Sequence, residues 1–331
     1  MNSLVDAYGR KITYLRLAVT DRCNLRCTYC MPAKGAEIVP RAELLTFKEM
    51  YRITRVLSEL GVDKVRLTGG EPFVRKDFIK LVKMLSFNDK LKTINITTNG
   101  VLTAPHIPEL TKLNVGTINL SIDSLSRENF KNITRRDDFD RVMHTLSLLQ
   151  KSKLHLKLNV VVQSGENTQE INDFVRLTKA HALEVRFIEE MPFNGTGKRD
   201  VSELWHAKRI LQEVQSEFSN VVALPIEKSS TSHMYKLTGS KGVFGIIPAY
   251  TRSICHDCNR LRITATGLLK NCLFDDGVFS IRDFIRAGAS DSELKELFVG
   301  LVSKKPKNGF VAEANRLKNK IVSESMSSIG G

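Results

Sequence analysis

The sequence predicts an α/β fold: a partial TIM-type (βα)6 barrel followed by a C-terminal extension. Two observations predict it: six strand-like runs alternate with helical segments over residues 12–190, and each strand has one apolar and one polar face. Strands joined by crossover helices form a parallel sheet, and such a regular chain curls toward a barrel. Six units are too few for an eight-stranded barrel, so we expect an open one.

The elements follow one another in a regular order. The strand-like runs are ITYLRLAVT, KVRLT, KTINITT, TINLSID, LHLKLNVVV and EVRFIEE. Between them, helical periodicity predicts helices near 46–60, 76–85, 106–113, 138–150 and 168–180. The turn residues of PFNGTGK place the end of the barrel near residue 195. We therefore expect a barrel domain over 1–195 and a C-terminal region over 196–331 that carries the second cysteine group.

The two faces of these strands differ in chemistry. In the first strand, for example, Leu15 and Leu17 oppose Arg16. The uniformly apolar face must meet the surrounding helices, so the polar face points into the barrel. The side chains predicted to point inward include Arg16, Lys64, Arg66, Thr97, Ser121, Lys157 and Arg186. Burying unpaired cations is costly, so the pattern in six strands favours a polyanion-binding cavity, although in any single strand such charges could belong to the surface.

Composition limits the class of protein. The chain of 331 residues is long enough for a large core, and it contains no apolar run of the roughly eighteen residues that a membrane span needs. Its first residues lack the apolar core of a signal peptide, which favours the cytoplasm, where thiols stay reduced. The 50 lysines and arginines against 36 acidic residues give a net charge of +14, which favours an anionic partner.

The first cysteine group, Cys23, Cys27 and Cys30, lies in CNLRCTYC after the first predicted strand. Thiolates select zinc, copper(I) or iron-sulfur clusters. Zinc sites usually close with a fourth cysteine or histidine, whereas three thiolates on one short loop leave a cubane cluster with an open position. An open position accepts a substrate or cofactor, so we interpret this triad as a reactive iron-sulfur site.

The remaining cysteines, Cys255, Cys258 and Cys272, form a second group of three. No odd thiol is left over, and a disulfide framework would suit a much shorter secreted chain. A CxxC pair alone is more often a zinc or redox motif, and His256 could complete a zinc site here. The second triad is therefore open to either metal, with the cluster interpretation preferred.

These motifs resemble a known superfamily. CNLRCTYC followed by TGGEP at 68–72 resembles the radical S-adenosylmethionine superfamily. CHDCNRLR with Cys272, ITRRDDFDRV at 133–142, FIEEMP at 187–192 and the terminal glycine pair narrow the resemblance to the GTP 3′,8-cyclases, the A proteins of molybdenum cofactor biosynthesis. The resemblance covers essentially the whole chain.

The resemblance implies roles for individual residues. Cys23, Cys27 and Cys30 would hold a [4Fe-4S] cluster that chelates S-adenosylmethionine, and Cys255, Cys258 and Cys272 would hold a second [4Fe-4S] cluster that meets the guanine base. The cofactor would be lined by Tyr29, Gly70, Ser121 and Met191. GTP would be contacted by Arg16, Lys64, Arg66, Thr97, Lys157, Arg260, Leu261 and Arg262. Arg186, Gly330 and Gly331 would take part in catalysis.

The implied reaction is the radical cyclisation of GTP. A 5′-deoxyadenosyl radical takes a hydrogen atom from the 3′ carbon of the ribose, and the carbon radical attacks position 8 of guanine to give 3′,8-cyclo-7,8-dihydroguanosine triphosphate. The implied partners are an electron donor and the next enzyme, cyclic pyranopterin monophosphate synthase. No nucleic acid or membrane partner is expected, and a homodimer is left open.

Three other classes explain part of the sequence. A peptide-modifying radical enzyme would share the first motif and a cysteine-rich C-terminal region, and a zinc-containing nucleic-acid-binding protein would explain CxxC and the charge of +14. An iron-sulfur sensor would need no cofactor pocket. The serine-rich tail would, without the resemblance, be read as a disordered end.

Overall fold

The computed structural model describes residues 3–36, 38–191, 204–252, 255–318 and 326–329. Its strands are β1 Tyr14–Ala18, β2 Lys64–Thr68, β3 Thr93–Thr98, β4 Val115–Ser121, β5 His155–Val162, β6 Glu184–Glu189, β7 Val221–Ala223, β8 His233–Leu237, β9 Val243–Ile247, β10 Arg260–Ile263, β11 Leu268–Lys270 and β12 Phe279–Ser280. Its α-helices are α1 Phe47–Glu59, α2 Phe78–Ser86, α3 Ile107–Leu110, α4 Arg127–Thr134, α5 Phe139–Lys151, α6 Ile171–Ala180, α7 Ala207–Glu217, α8 Ile281–Arg286, α9 Asp291–Ser303, α10 Gly309–Lys318 and α11 Met326–Ile329.

The six predicted strands are β1 to β6, and they pair in parallel in chain order. Crossover helices join them, as parallel pairing requires. Within the described residues the sheet does not close, because β12 lies at one edge and β7 at the other. The prediction of an open, partial barrel is confirmed.

Strands from the C-terminal region extend this sheet at both sides. β10 pairs in parallel with β1, with Arg260 opposite Tyr14 and Arg262 opposite Arg16. β9 pairs in parallel with β6, and the remaining short strands add antiparallel pairs at the two edges. Strands from both sides of residue 195 in the sequence thus belong to one sheet. The division into two domains near that residue stays a prediction.

The predicted helices correspond to α1, α2, α3, α5 and α6, with ends shifted by a few residues. α1 begins at a capping box: the Thr46 hydroxyl accepts from the Glu49 amide at 3.2 Å, and the Glu49 carboxylate accepts from the Thr46 amide at 2.6 Å. Helix α4 was not predicted, because its sequence RENFKNIT is short and largely polar.

The apolar strand faces and the helices form the main core. Leu15, Leu17 and Val65 are fully buried and pack in one cluster with Ile53 and Leu57 of α1. The polar faces of the same strands do not contribute to this core and are available to line a ligand site. Across the described ranges, every helix is too short or too polar to cross a bilayer.

Candidate active site

A cavity of about 540 Å³ lies on the polar side of the sheet and is lined by both cysteine triads. The seven inward side chains named above line it, and so do Arg260 and Arg262 of β10. Tyr29, Gly70, Ser121 and Met191 line it as well. Leu261 is fully buried in the core on the other face of β10, so only its backbone could reach a ligand. Gly330 and Gly331 lie outside the described residues.

The register of the sheet places the two triads at opposite ends of neighbouring strands. Cys23 follows the carboxyl end of β1, whereas Cys258 precedes the amino end of the parallel strand β10. Cys272 follows β11, which runs antiparallel to β10, so it returns to the same end as Cys258. The side chains of Arg16, Arg260 and Arg262 line the cavity between them.

The first triad is a group of half-buried thiols. Burial, together with the nearby Glu71 carboxylate, raises the pKa of Cys23 to about 11. Burial raises the pKa of Cys27 well above its usual range, and Asp123, Cys30 and Cys23 add to the shift. The protein alone therefore favours the protonated thiols of Cys23 and Cys27, and a positively charged metal centre would favour their ionisation.

The glycine pair after β2 allows a close approach to the cysteine loop. A Cβ atom added to Gly70 would lie 2.2 Å from the Arg22 carbonyl oxygen, and one added to Gly69 would lie 2.3 Å from the Thr20 carbonyl oxygen. Gly69 also has a φ of +139°, which disfavours other residues. The Gly70 amide donates to the Thr20 carbonyl at 2.8 Å. Only glycine at these positions lets the two loops pack against each other.

Glu71 connects the loops that follow β1, β2 and β3. It is 1% exposed and accepts from the Asn99 amide at 2.6 Å and the Thr98 hydroxyl at 2.8 Å. The Asn99 side chain in turn donates to the Asn24 side chain at 2.8 Å and to the Cys23 sulfur at 3.7 Å. Burial raises the pKa of Glu71 to about 7. This carboxyl group therefore fixes the rim of the cavity on which Cys23 lies.

A tyrosine and an aspartate form a second anchor at this rim. The Tyr29 hydroxyl donates to Asp123 at 2.8 Å, and the other oxygen of Asp123 accepts from the Val161 amide at 2.8 Å. Burial raises the pKa of Asp123 to about 6 and that of Tyr29 well above its usual range. The pair ties the cysteine loop to the ends of β4 and β5.

Basic side chains dominate the wall between the triads. The buried Nε atom of Arg16 has no hydrogen-bond partner among the described residues, and burial with the neighbouring Arg262 lowers the pKa of Arg16 well below the usual range. Burial opposes ionisation of Tyr14, but Arg66, Arg16 and Lys64 outweigh it and lower its pKa to about 8. Such a wall favours an anionic ligand, which would offset the repulsion among its cations.

Two acidic residues that the sequence analysis missed organise this wall. Glu184 pairs with Lys157 at 2.6 Å and with Arg186. Glu184 lies two positions before Arg186, so the same strand alternation could have found it. Glu189 accepts from the Tyr250 and Thr251 amides at 3.0 and 2.8 Å, which ties β6 to the segment leading to the second triad. No sequence signal marks that long-range contact.

The second triad has a different electrostatic environment. Burial opposes ionisation of Cys258, but Lys305, Arg260 and Arg10 outweigh it and lower its pKa to about 7. Burial raises the pKa of Cys272 to about 11, against the effect of Lys305. Cations therefore dominate the surroundings of Cys258, whereas the carboxylates of Glu71 and Asp123 act on Cys23 and Cys27.

The thiols of each triad are of the ligand type that holds an iron-sulfur cluster. Within the described part of the chain, no three cysteine, histidine or carboxylate side chains lie close enough together to hold one metal ion. A cubane cluster is larger than one ion and spreads its thiolate ligands over separate corners. All six cysteines are thiols rather than disulfides, and both triads line the same cavity, so each can present its sulfurs to a bound cluster.

An open βα barrel with three cysteine thiols after β1 and a close-packed GGE loop after β2 defines a radical S-adenosylmethionine protein. The model of the Radical SAM superfamily matches residues 17–178, and that described as Molybdenum Cofactor Synthesis C matches residues 183–311. GTP 3′,8-cyclase of Desulforamulus reducens is 38% identical over 330 residues, covering 99% of this chain and all of the relative. The chain belongs to the GTP 3′,8-cyclase family. Its superfamily binds S-adenosylmethionine and a [4Fe-4S] cluster.

Other relatives differ in length. Molybdenum cofactor biosynthesis protein 1 of Bos taurus is 41% identical over 319 residues, which cover 96% of this chain and 50% of the relative. This chain spans about half the length of the animal relatives that it matches. Among solved structures, SuiB of Streptococcus suis has a TM-score of 0.61 at 17% identity, covering 94% of this chain and 69% of SuiB. This likeness shows the fold.

Proposed function

We propose that the protein is a GTP 3′,8-cyclase that converts GTP to (8S)-3′,8-cyclo-7,8-dihydroguanosine 5′-triphosphate in molybdenum cofactor biosynthesis. The observation that carries the proposal is one cavity lined by two cysteine triads with a wall of basic side chains between them. Because the triads lie at opposite ends of β1 and β10, a nucleotide bound between them would have its base at one triad and its ribose toward the other. The cyclase of Desulforamulus reducens, similar over its whole length, supports the same activity.

The first triad would hold the cluster at which the cofactor binds, and the bound pair would supply the radical that removes the 3′ hydrogen of the ribose. The chain itself supplies the site around that chemistry. Tyr29, Gly70, Ser121 and Met191 line the cavity on the cofactor side. The Gly69 and Gly70 contacts and the Glu71 anchor hold the loop rigid, so that the cofactor and the ribose are kept in one orientation.

The basic wall would bind the triphosphate. Arg66 is 6% exposed, its Nε donates to the Tyr14 hydroxyl, and its Nη1 donates to the Thr97 hydroxyl at 3.3 Å. These contacts hold the guanidinium plane in place, and a planar fork can donate two parallel hydrogen bonds to a phosphate. Lys157 and Arg186 are held on the neighbouring strands by Glu184. A fixed array of this kind orders the substrate without a large loss of side-chain entropy.

The second triad would hold a second [4Fe-4S] cluster that meets the guanine base. Arg260 and Arg262 follow Cys258 on β10 with their side chains on the same face, where both line the cavity. They can therefore contact one ligand together with a group bound at this triad. Zinc at this position would require a fourth ligand, and His256 is directed elsewhere, with Nε2 3.2 Å from the Asp257 carboxylate.

Catalysis would also need Arg186 and the terminal glycines. Arg186 lines the cavity next to Lys157, where it can reach the ribose or the phosphates. Met326, in the short helix α11, lines the same cavity, so the chain is already at the site shortly before Gly330. We infer that the glycine pair enters the site, where residues without side chains can approach the substrate closely.

A peptide-modifying radical enzyme is the second candidate. A second cysteine triad favours it as well, but the basic wall favours a polyphosphate over a peptide. An electron donor, cyclic pyranopterin monophosphate synthase as the next enzyme, a cytoplasmic location and a homodimer belong to the proposal as expectations.

The deciding experiment uses anaerobically reconstituted, reduced protein. It is incubated with S-adenosylmethionine and each nucleoside triphosphate in turn, and deoxyadenosine and the fluorescent pterin formed by mild acid oxidation are measured. We expect both products with GTP and no pterin with ATP, CTP or UTP. Deoxyadenosine without pterin for every nucleotide would contradict the cyclase and favour another radical enzyme. A colourless protein that contains zinc would exclude both.

A further inference from the structure

A buried lysine from the C-terminal helices contacts two of the segments that carry the second triad. Lys305 follows α9 and is 3% exposed. Its Nζ donates to the carbonyl of Arg260 at 2.9 Å and to the carbonyl of Asn271. Arg260 lies two residues after Cys258, and Asn271 directly precedes Cys272. One ammonium group thus joins the loops that present two of the three thiols.

A buried arginine from the N-terminal segment contacts the segment that carries the third thiol, Cys255. Arg10 donates through Nη1 to the carbonyl of Cys255 at 3.0 Å and to that of Lys307 at 2.8 Å. Its Nη2 donates to the carbonyl of Pro306 at 2.7 Å, and its Nε pairs with Asp6 at 2.6 Å. Arg10 therefore also fixes the turn on which Lys305 lies. All three cysteine segments are held by these two cations.

The Lys305 ammonium has no carboxylate in direct contact within the described residues, and the buried Asp275 carboxylate acts on it only electrostatically. Arg10 pairs with Asp6, but in the described ranges no aspartate or glutamate lies within ion-pair distance of the Lys305 ammonium. A buried, unpaired cation is costly. A three-thiolate cluster is negatively charged and becomes more so on reduction, so a cluster in this place would offset that cost.

We propose that Lys305 is a positioning residue for the second cluster: it holds the segments of Cys258 and Cys272 together and balances the charge of the reduced cluster, which makes that cluster easier to reduce. The inference rests on the proposed function, because it needs a second cluster. It adds to the proposed function a residue that sets the reduction potential of the second cluster. The electron comes from the reductant in the solution, and no bond is made or broken in the protein.

Anaerobic redox titration followed by electron paramagnetic resonance tests this proposal, with iron content measured on the same samples. The signal of the first cluster is recognised by its response to S-adenosylmethionine. Lys305→Met removes the charge at similar size, Lys305→Arg keeps it, and Lys304→Met removes the charge of the exposed neighbour as a matched control. We expect K305M to shift only the second cluster to a more negative potential, K305R to restore most of the shift, and K304M to cause none.

The possible outcomes either support or overturn the role of Lys305. Loss of the second cluster in K305M but not in K305R would also support the proposal, because the cation would then be required to hold it. Full iron content with an unshifted potential in K305M would overturn it, and so would loss of the cluster in both variants, because charge would then not matter. Wild-type protein with about four irons per chain instead of about eight would show that the proposed second cluster itself is wrong.

Discussion

Glu184 is the acidic partner of two basic side chains that line the cavity. The substitution Glu184→Gln tests whether those two side chains bind an anionic ligand. Glu184 pairs with Lys157 at 2.6 Å and with Arg186. Removing one partner of a fully buried ion pair costs about 3–5 kcal/mol. The side chains of Lys157 and Arg186 keep 17% and 16% exposure to water in the cavity, so we expect a smaller loss of about 2 kcal/mol.

For a chain of 331 residues, that loss lowers the melting temperature of the protein without GTP by about 3 °C. Bound triphosphate supplies negative charge to the same two cations, so saturating GTP should remove about half of the difference between E184Q and the wild type. By linkage, the variant should bind GTP about fivefold more tightly. Differential scanning fluorimetry and equilibrium binding measure the two effects.

The difference also depends on pH. Burial opposes ionisation of Glu184, but Arg186 and Lys157 outweigh it and lower its pKa. The stabilisation is therefore complete above the unfolded pKa of about 4.3 and is lost as the pH falls through the lower folded value. Glu296→Gln, on the exposed surface of α9, is the control and should change neither stability nor binding. If GTP left the difference in melting temperature between E184Q and the wild type unchanged, or increased it, the reasoning would be refuted.

Three further substitutions address other parts of the site. Arg66→Ala should raise the GTP concentration needed for half-maximal cyclisation about tenfold or more at unchanged iron content, because a charge-assisted contact contributes about 1.5–3 kcal/mol; a collapse of iron content would make this residue structural. Gly70→Ala should lower the iron bound at the first triad and weaken S-adenosylmethionine binding, because its Cβ would lie 2.2 Å from the Arg22 carbonyl oxygen; normal binding would contradict this. Removing Gly330 and Gly331 should abolish pterin formation but spare deoxyadenosine formation, and unchanged cyclisation would rule out their role.

The strand alternation predicted much of the cavity because the polarity of a strand face is local information. A period of two is visible in KVRLT or LHLKLNVVV, and parallel pairing then brings Arg66 and Lys157 into one lumen. Glu184 follows the same rule and was overlooked. Glu189 and Lys305 could not be found in this way, because each acts on backbone groups far away in the chain: Glu189 on the Thr251 amide and Lys305 on the Asn271 carbonyl.

The sequence by itself determined the open barrel, the inward basic faces and the two cysteine groups, because periodicity and spacing are properties of neighbouring residues. Only the tertiary structure decided that β9 and β10 join the barrel sheet from its two sides and that the triads lie at opposite ends of β1 and β10. It also decided that the carboxylates of Glu71 and Asp123 act on Cys23 and Cys27, whereas cations dominate around Cys258. Pairing between distant strands and the burial of charge depend on the whole fold, and no local pattern encodes them.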